Sequence, residues 1–238
     1  MTVLSAIQDA CKVIGVTGST GNAVPDSIAS STERERVELL ALANEMADRI
    51  AKAHDWQKFA TIATITGDGA TEAFDLPSDY DRQRINTQLW SSSLEAPLSH
   101  IADLNQWLGL DVQSFDFVVN AWTIYGGQIQ IKPALATGVT AKYFYQSNLI
   151  VEPESGSNKA TFTLDEDTFR LSEELLKLGI IWQWRANKGL PYAEDMQNYE
   201  IELAKQIMRD KGARRIVMGT NRTPRDVRVA YPQNIPVS

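Results

Sequence analysis

Near Trp56 the hydrophobic spacing of this chain changes period, and any fold it adopts must accommodate that change. Leu39, Leu42, Met46, Ile50 and Ala53 recur at helical intervals, whereas from Phe59 to Thr66 the period shortens to two. The first spacing predicts an amphipathic helix and the second a half-buried strand. Helical spacing returns only after residue 163. The expected fold class is therefore α+β: a helical bundle of about four helices, interrupted by a β-rich insertion resembling a sandwich or barrel, with an extended C-terminal tail. Residues 1–55 and 163–212 form the expected bundle, 56–150 the insertion, 151–162 a linker loop and 213–238 a basic arm.

Local signals fill in the elements. Leu4, Ile7, Cys11 and Ile14 predict a short helix that Gly15 closes. Thr32 to Glu35 has capping-box spacing and opens a helix to His54, and Thr163 to Glu166 repeats that spacing before Leu171, Leu175, Leu178 and Trp182. Pro191 starts a last helix with Met196, Tyr199, Leu203 and Ile207 on one face, closed by Gly212. Between these, 59–66 and 71–76 read as two strands of a hairpin around Gly67-Asp68-Gly69, ended by Leu76-Pro77. Asp79 is placed for an Asx-turn, with Arg82 pairing to it or to Asp81. Arg84 to Trp90 predicts another strand, and Ser99 caps a helix carrying Ile101, Leu104, Trp107 and Leu108 that Gly109 stops. Trp122 to Pro133 alternates on both sides of Gly126-Gly127 and predicts a hairpin; Thr140 to Gln146 adds a strand with Tyr143 and Tyr145 on one side and Phe144 on the other. Residues 147–159 read as a polar loop, making the insertion a unit of roughly six strands.

Charge is divided unevenly. The 238 residues carry a net −7, yet residues 205–238 hold eight Lys and Arg against Asp210 and Asp226, a net +6 that leaves −13 on the rest. A basic, proline-bearing segment (Pro224, Pro232, Pro236) cannot bury itself and seeks an acidic partner, either nucleic acid or a protein surface. Within it only Val227-Arg228-Val229 is strand-like. No run of about 18 apolar residues exists, so no membrane span is expected. The first residues lack the basic region of a signal peptide, and the lone Cys11 offers no internal disulfide, both expected of a protein made in a reducing cytoplasm.

Candidate chemistry is sparse. His54 and His100 have no ligand-like spacing, so neither a metal site nor a nucleophilic triad is expected. Gly15-Val16-Thr17-Gly18-Ser19-Thr20-Gly21-Asn22 superficially matches a phosphate-binding loop but follows helical spacing and precedes Pro25; a flexible loop is expected. A nucleotide-binding protein is thus one alternative. The other is a virion-associated wall hydrolase, using Glu152 and Glu154 with Asp165, Glu166 and Asp167 as acid and base.

Taken together, Trp56 at a helix end, Phe74-Asp75-Leu76-Pro77-Ser78-Asp79-Tyr80-Asp81-Arg82, Ile129-Gln130-Ile131-Lys132-Pro133 and Tyr143-Phe144-Tyr145 followed by two helices resemble the head-to-tail adaptor (connector) proteins of tailed bacteriophages. The resemblance covers most of residues 32–212; the long loop at 15–31 departs from it. It implies a non-enzymatic virion component at the head–tail junction, without cofactor: a ring of twelve copies joining the portal to tail or nozzle proteins while DNA passes through unbound. On that reading Arg214, Arg215, Arg222, Arg225 and Arg228 are expected to make charged contacts to the portal or a neighbouring subunit. Ile216, Val217, Val227, Val229 and Tyr231 join them as partner-binding residues.

Overall fold

Helix α1 (Val3–Ile14) illustrates how local signals become structure: the Thr2 side chain accepts from Ser5 N–H, and Gly15 closes the helix at φ 78°. The computed structural model describes residues 2–16, 24–85, 87–112 and 120–210, and the fold is mixed α+β. Five α-helices lie among the described residues: α1, α2 (Arg34–Ala53), α3 (Leu104–Val112), α4 (Glu173–Asn187) and α5 (Ala193–Asp210). Helix α4 packs against α1, α2 and α5. Where α4 meets α2, Gly179 lets the helices approach; a β-carbon there would lie 2.8 Å from Met46 Cε. One hydrophobic cluster joins α1, α2, α4 and α5 with Trp56, Phe59, Ile150, Val151, Phe162 and Phe169.

Eleven strands are found among the described residues. β1 (Ala60–Thr66) pairs antiparallel with β9 (Thr140–Ser147), whose other side carries β3 (Tyr80–Gln83) and β4 (Trp90–Ser91), and β4 pairs with β5 (Ala96–Pro97). A second sheet runs β2 (Ala73–Asp75), β8 (Gln128–Lys132), β7 (Ala121–Tyr125), β6 (Ser99–His100), with the β6–β7 pair parallel. β10 (Val151–Glu152) and β11 (Thr168–Phe169) form a two-stranded ribbon. The inward residues Ile65, Leu89, Leu98, Trp122, Ile129, Ile131, Tyr143 and Tyr145 make a second hydrophobic cluster. The β7–β8 hairpin turns at Gly126 and Gly127 with φ 62° and 78°, the left-handed pair that matches strand twist. On β9, Tyr143 and Tyr145 are buried and Phe144 is exposed, as alternation predicts.

Several local expectations give way to long-range partners. β1 and β2 do not form a hairpin; they enter different sheets. The Gly67–Gly69 segment pairs instead with 135–139, through Gly67 N–H to Val139 O (2.8 Å), Gly69 N–H to Leu135 O (2.9 Å) and Gly138 N–H to Gly67 O (3.0 Å). Arg84 to Trp90 is not a continuous strand among the described residues; strand structure stops at Gln83 and resumes at Trp90. Asp103, not Ser99, receives the first N–H groups of α3, and the helix continues through Gly109. Neither capping box forms. α2 starts behind Glu33, whose side chain makes no cap bond but pairs with Arg36 at 3.0 Å. α4 starts behind Ser172, nine residues after Thr163. α5 begins at Ala193, with Met196 N–H bonded to Tyr192 O, so Pro191 stands just outside it. The expected 147–159 loop contains β10, bridged at Val151 to Lys159. Of the 15–31 loop, residues 15, 16 and 24–31 are described, and the latter run is fastened down: Ile28 is buried and Pro25 O accepts from Gln8 Nε2 at 2.9 Å.

Candidate interaction surfaces

The passage from α2 into β1 is held by one arginine. Arg82 Nη2 donates to His54 O at 2.9 Å and lies 3.4 Å from Ala51 O, while Nε reaches Asp55 Oδ1 at 3.2 Å and Nη1 pairs with Asp81. A guanidinium suits this place because its fork can cap the final carbonyls of a helix and bind a carboxylate at once. Asp55 also accepts from Ile85 N–H at 2.8 Å, and Arg84 donates to Asp55 O. Trp56 Nε1 donates back to Ile50 O at 2.8 Å, and Gln146 of β9 donates to Trp56 O at 3.1 Å. Asp79 takes no Asx-turn role here: its carboxylate accepts the Tyr145 hydroxyl at 2.8 Å, beneath the Tyr80–Tyr145 stack at 5.7 Å. Burial pushes the Tyr145 phenol upward, and the Asp79 carboxylate adds to the effect. Tyr143 beside it is pushed up by burial to about 12. The Phe74–Arg82 segment is therefore structural cement between helix end and sheet.

The acidic residues near 165 play an equally structural part. Asp165 accepts from the Ile28 and Ala29 N–H groups, each at 2.9 Å, and from Ser27 Oγ. Asp167 is fully buried, and its Oδ2 accepts from Thr163 N–H (2.7 Å), Leu164 N–H (2.9 Å) and Lys159 Nζ (2.8 Å). The backbone carbonyls of the same two residues receive the first N–H groups of α1, from Leu4 and Val3. Burial opposes ionisation of both carboxyls, but the converging donors outweigh it and hold them below the usual carboxylate value. An acid–base pair for glycoside cleavage needs one carboxyl raised; these two are held as anions, while Glu152, Glu154 and Glu166 stand exposed. His54 rests edge-on against Trp56 at 5.2 Å, 3.6 Å from Asp210, and His100 lies on Trp122 at 4.4 Å. No group of three His, Cys, Asp or Glu residues able to hold a metal ion occurs among the described residues. No helix of the described residues is long and apolar enough to cross a membrane.

Surfaces that could meet partners are apolar and exposed. Ile62 of β1 stands opposite Phe144 of β9, and Trp90 of β4 opposite Lys142, so the outer side of the first sheet carries Ile62, Phe144 and Trp90 at 57, 43 and 52% exposure. They line a shallow groove of about 470 Å³. Leu104 and Leu108 on α3, and Ile201 and Met208 on α5, are exposed as well. Sequence reasoning put Phe144 on the side of its strand opposite Tyr143 and Tyr145 but missed Ile62 and Trp90 as its neighbours, because β1, β9 and β4 come together from distant parts of the chain. The sequence-predicted partner residues (Arg214, Arg215, Ile216, Val217, Arg222, Arg225, Val227, Arg228, Val229 and Tyr231) lie outside the described residues.

Residues 1–230 match the model of the SU10 adaptor protein family. No curated protein matches the chain.

Proposed function

The chain belongs to the SU10 adaptor protein family, a phage head-to-tail adaptor family, and from that premise we propose that it forms a ring that links the portal to tail or nozzle proteins around the DNA exit channel. The carrying observation is the family match over 1–230, which takes in the basic segment from Lys211 onward as well as the folded body. In this reading the subunit is a helical bundle of residues 1–55 and 163–212 bearing a β insertion of residues 56–150, with 151–162 as a linker. Two separate hydrophobic clusters support a two-part subunit, the helical one also taking in Trp56, Phe59 and Ile150 from the ends of the insertion and Val151 and Phe162 from the linker. So does the arginine clamp at Arg82, which gives a rigid load path between the two parts where a flexible linker would let them swing.

Twelve copies, as the resemblance implies, meet by heterologous contacts that close by rotation. The −13 of the body suits a channel wall, because a surface poor in Lys and Arg gains nothing by releasing phosphate counterions and lets DNA slide past. The basic arm of 213–238 is the proposed grip. Arg214, Arg215, Arg222, Arg225 and Arg228 make the charged contacts to the portal, with Ile216, Val217, Val227, Val229 and Tyr231 supplying apolar anchors. The test is deletion of 213–238. The shortened chain is expected to keep its far-ultraviolet circular dichroism yet fail to co-sediment with portal rings; undiminished co-sedimentation rejects the arm as the grip.

A further inference from the structure

β1 is an edge strand, and it lacks the usual devices that protect an edge. Among the described residues it pairs only with β9, in unbroken register from Ala60–Gln146 to Thr66–Thr140. Its seven residues, Ala60-Thr61-Ile62-Ala63-Thr64-Ile65-Thr66, contain no charge and no proline, and the ladder has no bulge. Soluble proteins blunt such edges with lysine, proline, bulges or a covering segment, since a bare one recruits any passing strand. A covering segment is the one device left to this chain.

The described chain ends beside this strand. Asp210, the last residue of α5, accepts the Gln57 N–H at 3.0 and 3.2 Å, immediately before β1 begins. Beyond it lie residues 211–238, in which Pro224 and Pro232 bracket seven residues, Arg225-Asp226-Val227-Arg228-Val229-Ala230-Tyr231. Seven is also the length of β1. Proline cannot continue a ladder, so the pair of prolines delimits one strand's worth of chain. Val227, Val229 and Tyr231 alternate with Arg228 and Ala230, the pattern of a strand with one apolar side.

We propose that residues 225–231 of the arm lie antiparallel along the free edge of β1 of the same chain, covering it in the unassembled subunit. The proposal rests on the reading of 213–238 as an arm, and says where that arm sits when no portal is present. Direction follows from charge. The near end of β1 carries Lys58 and Arg170, whose guanidinium donates to Lys58 O. The far end carries Asp68, held as an anion by the Thr71 hydroxyl and the Thr71 and Ala70 N–H groups. An antiparallel arm sets Arg225 opposite Gly67, next to Asp68, with Asp226 opposite Thr66; a parallel one would drive Arg225 against Lys58 and Arg170.

Register follows from the pleat. With Val229 opposite Ala63, Val227 meets Ile65 and Tyr231 meets Thr61 on the inward side, where Ile65 is buried and Ala63 packs against the sheet core. Arg228 and Ala230 then fall opposite Thr64 and Ile62 on the outer side, leaving the arginine in water. Reach is ample. The sixteen residues from 211 to 226 can span about 50 Å, whereas β1 is about 23 Å long.

The test uses the full chain without portal. Oxidation of the Thr64→Cys/Arg228→Cys variant should give a disulfide within one chain, seen as a monomer with a linked 64–228 peptide. Thr64→Cys/Val227→Cys, on opposite sides of the proposed ladder, should give none. Buried Cys11, its thiol pushed up to about 11 by burial, should not compete. In the chain carrying only Val229→Pro, amide exchange across 60–66 should rise at least tenfold. Absence of the 64–228 link, disulfides only between chains, or β1 exchange unchanged by Val229→Pro would each overturn the proposal. None of these readouts involves the portal, so failure here is distinct from failure of the arm to bind it.

Discussion

Removing the Arg82 guanidinium should uncouple the helix end from the sheet. The structure gives Arg82 two carboxylate partners, Asp55 and Asp81, and the His54 carbonyl at 2.9 Å, with the Ala51 carbonyl a marginal fourth at 3.4 Å. A hydrogen bond to a charged group contributes about 1.5–3 kcal/mol when sheltered. The Arg82 side chain is 31% exposed, so water screens part of that, whereas Asp55 at 11% cannot rehydrate freely once its cation is gone. Arg82→Ala should therefore cost about 2–4 kcal/mol. Arg82→Lys should recover no more than about half, because one ammonium cannot serve a carbonyl and two carboxylates together. Urea unfolding followed by far-ultraviolet circular dichroism and by tryptophan fluorescence measures both. In the unaltered chain the two probes should coincide, and in Arg82→Ala they should separate as helices and strands lose their common clamp. A double-mutant cycle with Asp55→Asn should give a coupling of about 1 kcal/mol or more. A loss under about 0.5 kcal/mol for Arg82→Ala, the level of an ordinary surface change, would refute the clamp.

Gly67→Ala should destabilise by about 1–3 kcal/mol or more, since the added carbon would sit 2.5 Å from Leu135 Cβ and O; Gly109→Ala in α3, with nothing within 4 Å, should instead be neutral or stabilise by up to about 1 kcal/mol. Thermal melts of both variants decide it, and equal effects would contradict the packing argument. Asp165 and Asp167 have lowered folded values, so their contribution is complete above the ordinary carboxylate value of 3.8 and is lost as pH falls through those lower values. Proteolytic cutting within 24–31 should accordingly rise as pH drops below about 4, and Asp165→Ala, at a cost of about 1–3 kcal/mol, should produce the same cutting at neutral pH. Cutting unaffected by Asp165→Ala would show that the carboxylate does not fasten the segment.

What could be read from the sequence was whatever local chemistry decides. Gly126-Gly127 between alternating strands can only turn, and Gly15 after a helical stripe can only stop it; both stand as read. Several of the misreadings share one cause. Asp165 lies inside the expected Thr163–Glu166 capping box, but its oxygens go to Ser27, Ile28 and Ala29, more than 130 residues away in sequence. Gly67-Asp68-Gly69 has hairpin composition, yet 135–139 supplies better backbone partners than a return on itself. Asp55 gave no signal at all, because nothing near it in sequence announces Arg82 and Ile85 as its ligands. The Phe74–Arg82 motif pointed to the right family because its work is local to the junction: Asp79 and Tyr80 seat Tyr145, and Arg82 holds the end of α2.

The ring at the portal is tested most directly by weighing it. Mass photometry of the chain alone, of portal rings alone and of their mixture would count the subunits added. The proposed function predicts one discrete complex heavier than the portal by about 318 kDa, twelve copies of a 26.5 kDa chain, with no ladder of intermediate masses at saturation. A chain that stays at 26.5 kDa beside unshifted portal rings at every ratio would contradict it.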